Sequence, residues 1–235
     1  MPRPILATIH PRAIRHNLER VRRSAPDVKL MSMVKANAYG HGLEHAFPGL
    51  RATDGFAVLE ISEAQRLRAL DWRGPILLIE GAFEPRDLEM CSRLGLWHTV
   101  HCEAQIDWLA AHKTQVPHRV FLKMNSGMNR LGFTPQRFRS AYARLNALTQ
   151  VEEISLITHF SDADGPAAPP TSRPFLPKPR TICRVSARCA TAPLLCCRAA
   201  TRRSAATGCA PALCCLAARP ITPRTARKTG ICSPA

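Results

Sequence analysis

Residues 28–42, Val-Lys-Leu-Met-Ser-Met-Val-Lys-Ala-Asn-Ala-Tyr-Gly-His-Gly, hold the transition on which the reading of this chain turns. Val28 to Val34 is a short, largely apolar run of the kind that forms a buried strand. It gives way to a turn bearing Gly40 and Gly42, and Lys35 stands at the junction. A lysine at such a junction is a candidate reactive amine, able in its neutral form to act as a nucleophile toward a carbonyl. The two glycines let the backbone come close to a bound group.

Outward from this stretch the chain alternates. Pro11 suits the first turn of a helix, which the pattern carries to about Arg23 with Ile14, Leu18 and Val21 on one face. The strand 28–35 follows, and then a weakly helical 42–50 and a strand at 55–61. Ser62 reads as an N-cap with Gln65 completing a capping box for a helix to about Leu70. Strands at 76–79, 97–102, 119–124 and 154–160 alternate with helices at 85–94, 103–112 and 134–148. Alternation at this spacing predicts a parallel sheet with helical crossovers. Six such units fit an α/β chain folded as an incomplete (β/α)8 barrel of the TIM type, and a doubly wound open sheet is the alternative. No G-x-G-x-x-G follows the first strand, which counts against a dinucleotide site.

The composition changes near Gly165. From there to Ala235 the chain has ten Arg, two Lys and no Asp or Glu, so this segment carries +12 of the net +16 and leaves +4 for residues 1–164. It also holds eight of the ten cysteines and eleven of the twenty prolines, with Phe175 its only aromatic residue. A segment so poor in large apolar side chains is expected to be disordered or poorly packed. Its composition is that of an out-of-frame translation of a GC-rich gene. Its arginines are scattered without stacking aromatics, so a nucleic-acid-binding role is the weaker reading. No C-x-x-C or zinc-finger spacing occurs, and no segment reaches the ~20 apolar residues of a membrane span. The N-terminal apolar run is too short for a signal peptide, so the expected setting is the cytoplasm, with reduced thiols.

In a barrel the strand C-termini converge on one mouth, where active sites sit. The alternation puts Lys35, Lys123, Arg130 and His159 at or just past such ends. His41 and His45, four apart, have no third ligand, and no metal is expected. His98 and His101 read as surface or core residues, and Glu60 and Glu63 as solvated or rim residues.

A second segment, Phe121-Leu122-Lys123-Met124-Asn125-Ser126-Gly127-Met128-Asn129-Arg130-Leu131-Gly132-Phe133, stands about ninety residues after the first. With Val34–Gly42, with Thr158-His159-Phe160-Ser161 and with Ala7-Thr8-Ile9, it resembles the alanine racemases over residues ~5 to 166. The resemblance implies a pyridoxal 5'-phosphate enzyme that interconverts L- and D-alanine for peptidoglycan synthesis, working as a homodimer. It implies that Lys35 holds the cofactor as a Schiff base and gives or takes the proton on the D-amino-acid side. It further implies Tyr39 on the cofactor phosphate, Arg130 on the phenolic oxygen and the substrate carboxylate, and His159 bonded to an arginine facing the pyridine nitrogen. Lys123 matches a position often carbamylated. Residues 1–165 are then expected as a partial N-terminal barrel domain, and residues 166–235 as an unrelated tail. The family's pyridine-facing arginine, its second base (a tyrosine) and its C-terminal β domain find no match. Little racemase activity is therefore expected of this chain. A barrel that carries the cofactor without catalysis is the rival reading.

Overall fold

The computed structural model describes residues 6–26, 28–159 and 215–218. The first helix, α1 (Pro11–Ser24), opens on a proline whose missing N–H has no intrahelical partner to lose, and it buries Ile14 and Leu18. There follow β1 (Lys29–Met33), α2 (Lys35–Tyr39), α3 (Leu43–Leu50), β2 (Gly55–Val58), α4 (Ile61–Ala69), β3 (Ile76–Leu78) and α5 (Asp87–Leu94). The series continues with β4 (Trp97–Val100), α6 (Glu103–Ala111), β5 (His118–Met124), α7 (Pro135–Asn146), β6 (Val151–Thr158) and β7 (Cys215–Ala218).

The sheet order is β6-β5-β4-β3-β2-β1-β7, and β1 to β6 are parallel neighbours in chain order. This settles the choice of fold. A doubly wound sheet reverses direction at a switch point, whereas a barrel adds each strand beside the last. The six strands progress one way, as in a TIM-type barrel. The strands are almost fully buried, β2 and β3 on every residue, as expected of parallel strands covered on both faces. One core cluster gathers around Leu30, Phe56, Leu67 and Leu77, the other around Val100, Leu109, Leu122 and Phe138.

Three features depart from the sequence reading. The first strand ends at Met33, and Lys35 begins the turn that follows. The fourth helix has Glu60, not Ser62, as its N-cap, and the side chain answering it is that of Glu63, whose carboxylate accepts the Glu60 N–H at 3.3 Å. Within the segment expected to be disordered or poorly packed, 215–218 forms β7, antiparallel to β1, with Lys29 opposite Ala218 and Ser32 opposite Cys215. The outer N–H and C=O groups of β1 are an open template, and an extended segment free of proline can pair with it whatever its side chains. The rest of the expected disordered tail lies outside the described residues.

Candidate active site at the strand ends

Lys35 leaves β1 through a backbone of unusual hand. Ala36, Asn37, Ala38 and Tyr39 have φ of 51°, 55°, 55° and 53°, and Gly40 continues at 82°. This is a left-handed helical turn. Each L-residue held there costs roughly 1–2 kcal/mol, so four in succession persist only where their surroundings over-determine them. Ala38 N–H donates to Val34 O at 2.8 Å, Gly40 N–H to Ala36 O at 3.1 Å and Gly42 N–H to Asn37 O at 3.0 Å. The Asn37 side chain accepts from Leu43 N–H at 3.0 Å and from Arg66 at 2.8 Å. His41 Nδ1 lies 2.9 Å from Ala38 O, so the ring serves the turn. Glycine suits position 42 because its φ is 83°, where any L side chain is strained.

Lys123, the penultimate residue of β5, is 5% exposed. Burial pushes its ammonium below the usual lysine range. The charges of Arg130 and Lys35 push the same way, and Glu80 opposes them. His159, just past β6, is half-buried; burial first, then Lys123, Arg130 and Lys35, holds its pKa down. The structure therefore brings Lys35, Lys123, Arg130 and His159 into one electrostatic neighbourhood at the C-terminal ends of β1, β5 and β6.

The loop carrying Arg130 is a closed excursion from β5. Asn125 N–H donates to Phe133 O and Phe133 N–H to Lys123 O, both at 2.9 Å. Asn125 Oδ1 accepts from the N–H of Gly127 and of Asn129, and Asn129 has a φ of 57°. Ser126 Oγ lies 2.6 Å from Thr158 Oγ1 in a buried contact that pins the loop beside His159. A Cβ at Gly132 would meet Asn125 N at 2.8 Å, so the return leg needs glycine. Tyr39, at the end of the left-handed turn, is 37% exposed.

His101, read from the sequence as a surface or core residue, and Glu80, which the sequence reading does not single out, belong here. His101 follows β4, and burial and then the Lys123 charge lower its pKa, with Glu80 opposing. Glu80 follows β3 and is the acidic residue that bears on both Lys123 and His101. Their common signal was position, one or two residues past a strand end. Glu63, read as a rim residue, is buried, at 6% exposed. His98 is buried within β4, as core filling requires. Among the described residues no group of three or more His, Cys, Asp or Glu could hold a metal ion, and no helix is long and apolar enough to cross a membrane.

Comparison with known proteins places these residues in a family. The family model described as alanine racemase, N-terminal domain, matches residues 9–202. The alanine racemase of Acidovorax sp. (strain JS42) is 79% identical over 166 residues, covering 71% of this chain and 46% of that one. Among solved structures, the biosynthetic alanine racemase from Pseudomonas aeruginosa superposes with a TM-score of 0.69 at 39% identity, covering 74% of this chain and 49% of the other. That from Acinetobacter baumannii gives 0.70 at 31% identity, covering 87% and 58%. The chain spans about half the length of the curated relatives it matches.

Proposed function

This chain belongs to the alanine racemase N-terminal-domain family, and we propose that its strand-end cluster is the cofactor-bearing half of a pyridoxal-phosphate-dependent racemase acting on alanine. The described residues suit that cofactor. It presents an aldehyde, a phenolic oxygen and a phosphate. The cluster offers the Lys35 amine and the cationic Arg130; burial first, then the charges of Arg130 and Lys35, lowers the pKa of Lys123. Bound pyridoxal phosphate would supply the electron sink that lets an amino-acid Cα–H bond ionise.

The chain's own groups then divide the work. The Lys35 amine would hold the cofactor through its aldehyde carbon, and once the substrate's amine has displaced it there, the freed Nζ would take or return the proton on the D-amino-acid side. Tyr39 would offer its hydroxyl to the phosphate. Arg130 presents a planar fork of donors to the phenolic oxygen and the substrate carboxylate. A neutral Lys123 amine can add carbon dioxide, releasing a proton and becoming a carbamate that pairs with Arg130. His159 would orient a pyridine-facing group through a hydrogen bond. The family's arginine for that role is not matched in this sequence.

Racemisation needs a base on each face. The sequence has two tyrosines, Tyr39 in the cofactor turn and Tyr142 within α7, packed against the second core cluster. Neither stands for the second base, so the chain alone is proposed to exchange the Cα proton on one face with little net racemisation. The observation that carries this reading is the convergence of Lys35, Lys123, Arg130 and His159 on one rim. The test is incubation of the purified chain with pyridoxal phosphate and D-alanine, and separately with L-alanine, in deuterium oxide. Expected is deuterium at Cα of D-alanine with little L-alanine formed, and no exchange into L-alanine. Net conversion of either enantiomer into the other near ~10 s⁻¹ would refute the one-sided reading, and bound cofactor with no exchange would favour a non-catalytic carrier. The proposal that residues 166–235 are out-of-frame rests on their composition. It fails if the gene, read in the other two frames past codon 165, shows no continuation of the family pattern.

A further inference from the structure

The left-handed turn after Lys35 is gripped from outside itself by one helix. Glu63, the third residue of α4, sends a buried carboxylate between two pieces of backbone. Its Oε1 accepts the Asn37 N–H at 3.1 Å, and its Oε2 accepts the N–H of Leu59 at 3.0 Å and of Glu60 at 3.3 Å. One side chain thus joins the residue two positions past Lys35 to the end of β2. Arg66 lies three residues on, on the same face of α4. It donates to Asn37 Oδ1 at 2.8 Å and holds Glu44 of α3 through two bonds of 2.8 and 2.6 Å. Asn37 is therefore held at both ends, its amide by Glu63 and its side chain by Arg66. The same Oδ1 takes the Leu43 N–H, so the start of α3 is fixed through it.

Helix propensity does not call for a glutamate buried at this position, and the capping role needs only the bond to Glu60. The bond to Asn37 serves a turn that is strained along its whole length, and such a conformation relaxes unless restrained. We infer that Glu63 and Arg66 form a clamp of positioning residues that holds the left-handed turn and so aims the Lys35 amine into the strand-end cluster. The inference rests on the proposed cofactor role of Lys35 for its functional half; the restraint of the turn stands apart from it.

The test compares the full chain with Glu63→Gln and Arg66→Met. Glutamine keeps one acceptor but turns an NH2 toward an N–H donor, so one arm of the bridge is lost. Arg66 is partly exposed, so its replacement leaves the core intact and decides the matter if Glu63→Gln does not fold. Two readouts are taken. Amide hydrogen exchange over residues 36–40 should quicken at least tenfold in each folded variant, with exchange in β2 and β3 unchanged. The rate of pyridoxal phosphate condensation at Lys35, relative to the exposed Lys113 in the same molecule, should fall ten- to a hundredfold, since a displacement of about an ångström costs on the order of 10²-fold. A merely structural role would lower the melting temperature and leave that ratio unchanged in the folded fraction. Unchanged exchange at 36–40 overturns the clamp. Faster exchange with an unchanged ratio overturns the positioning role. A wild-type Lys35 that condenses no faster than Lys113 instead overturns the cofactor reading, and the aiming role falls with it.

Discussion

Acid is expected to unfold this protein through a histidine pair buried between β4 and β5. His98 Nε2 lies 3.2 Å from His118 Nδ1, and the His112 ring centroid is 5.2 Å from that of His118. The Nε2 atoms of His112 and His118 are buried without a hydrogen-bond partner among the described residues. Burial, then the charges of His118 and His112, pushes His98 down to about 3; burial, then His112, pushes His118 down to about 4. Each ring is neutral in the fold and has a pKa near ~6.5 in the unfolded chain. A depressed folded pKa contributes stability that is complete above the unfolded value and is lost as pH falls toward the folded one. Each ring then costs up to about 1.4 kcal/mol per pH unit below ~6.5. Two rings over two units give about 5 kcal/mol by pH 4.5, comparable to the whole stability of many domains, about 5–15 kcal/mol. Urea unfolding followed by tryptophan fluorescence between pH 7.5 and 4.5 measures this. Replacing His98 with leucine should roughly halve the slope below pH 6.5. Stability that stays flat across the window, or a slope indifferent to His98→Leu, would refute the reasoning.

Other expectations follow from single contacts. Ala36→Gly should stabilise the fold by about 0.5–1 kcal/mol, because glycine escapes the left-handed penalty at a smaller entropic cost, whereas Ala36→Val should destabilise it; thermal melts separate the two. Gly81→Ala should cost about 3 kcal/mol or more, because φ is 78° and the new Cβ would stand 2.0 Å from Thr99 O; urea midpoints test it. Ser126→Ala should cost about 0.5–1.5 kcal/mol by removing the hydroxyl bond to Thr158 Oγ1, which keeps its own bond to Met124 O at 3.0 Å, and should loosen the loop carrying Arg130, seen as faster amide exchange over 125–133.

The alternation of strand and helix was legible because the strands are largely buried and most of the helices between them are amphipathic. The sequence reading therefore names the six parallel strands and their chain-order neighbours. The strand ends that gather Lys35, Lys123, Arg130 and His159 follow from the same alternation, since parallel strands share one C-terminal rim. The hand of the turn at 36–39 was not legible, because alanine and tyrosine carry no local preference for positive φ; partners distant in sequence impose it. Glu63 was missed for the same reason, since its bond to Asn37 spans 26 residues. β7 escaped because antiparallel pairing at an open edge depends on the backbone, and Cys215 to Ala218 has no side-chain period to announce it.

Reductive trapping tests the central claim most directly. The full chain is mixed with pyridoxal phosphate near pH 8, reduced with borohydride, digested and mapped. The account predicts a stoichiometric label on Lys35, with Lys29 and Lys113 left largely unmodified. Folded protein in which Lys35 stays unlabelled, or carries no more label than the surface lysines, would contradict it.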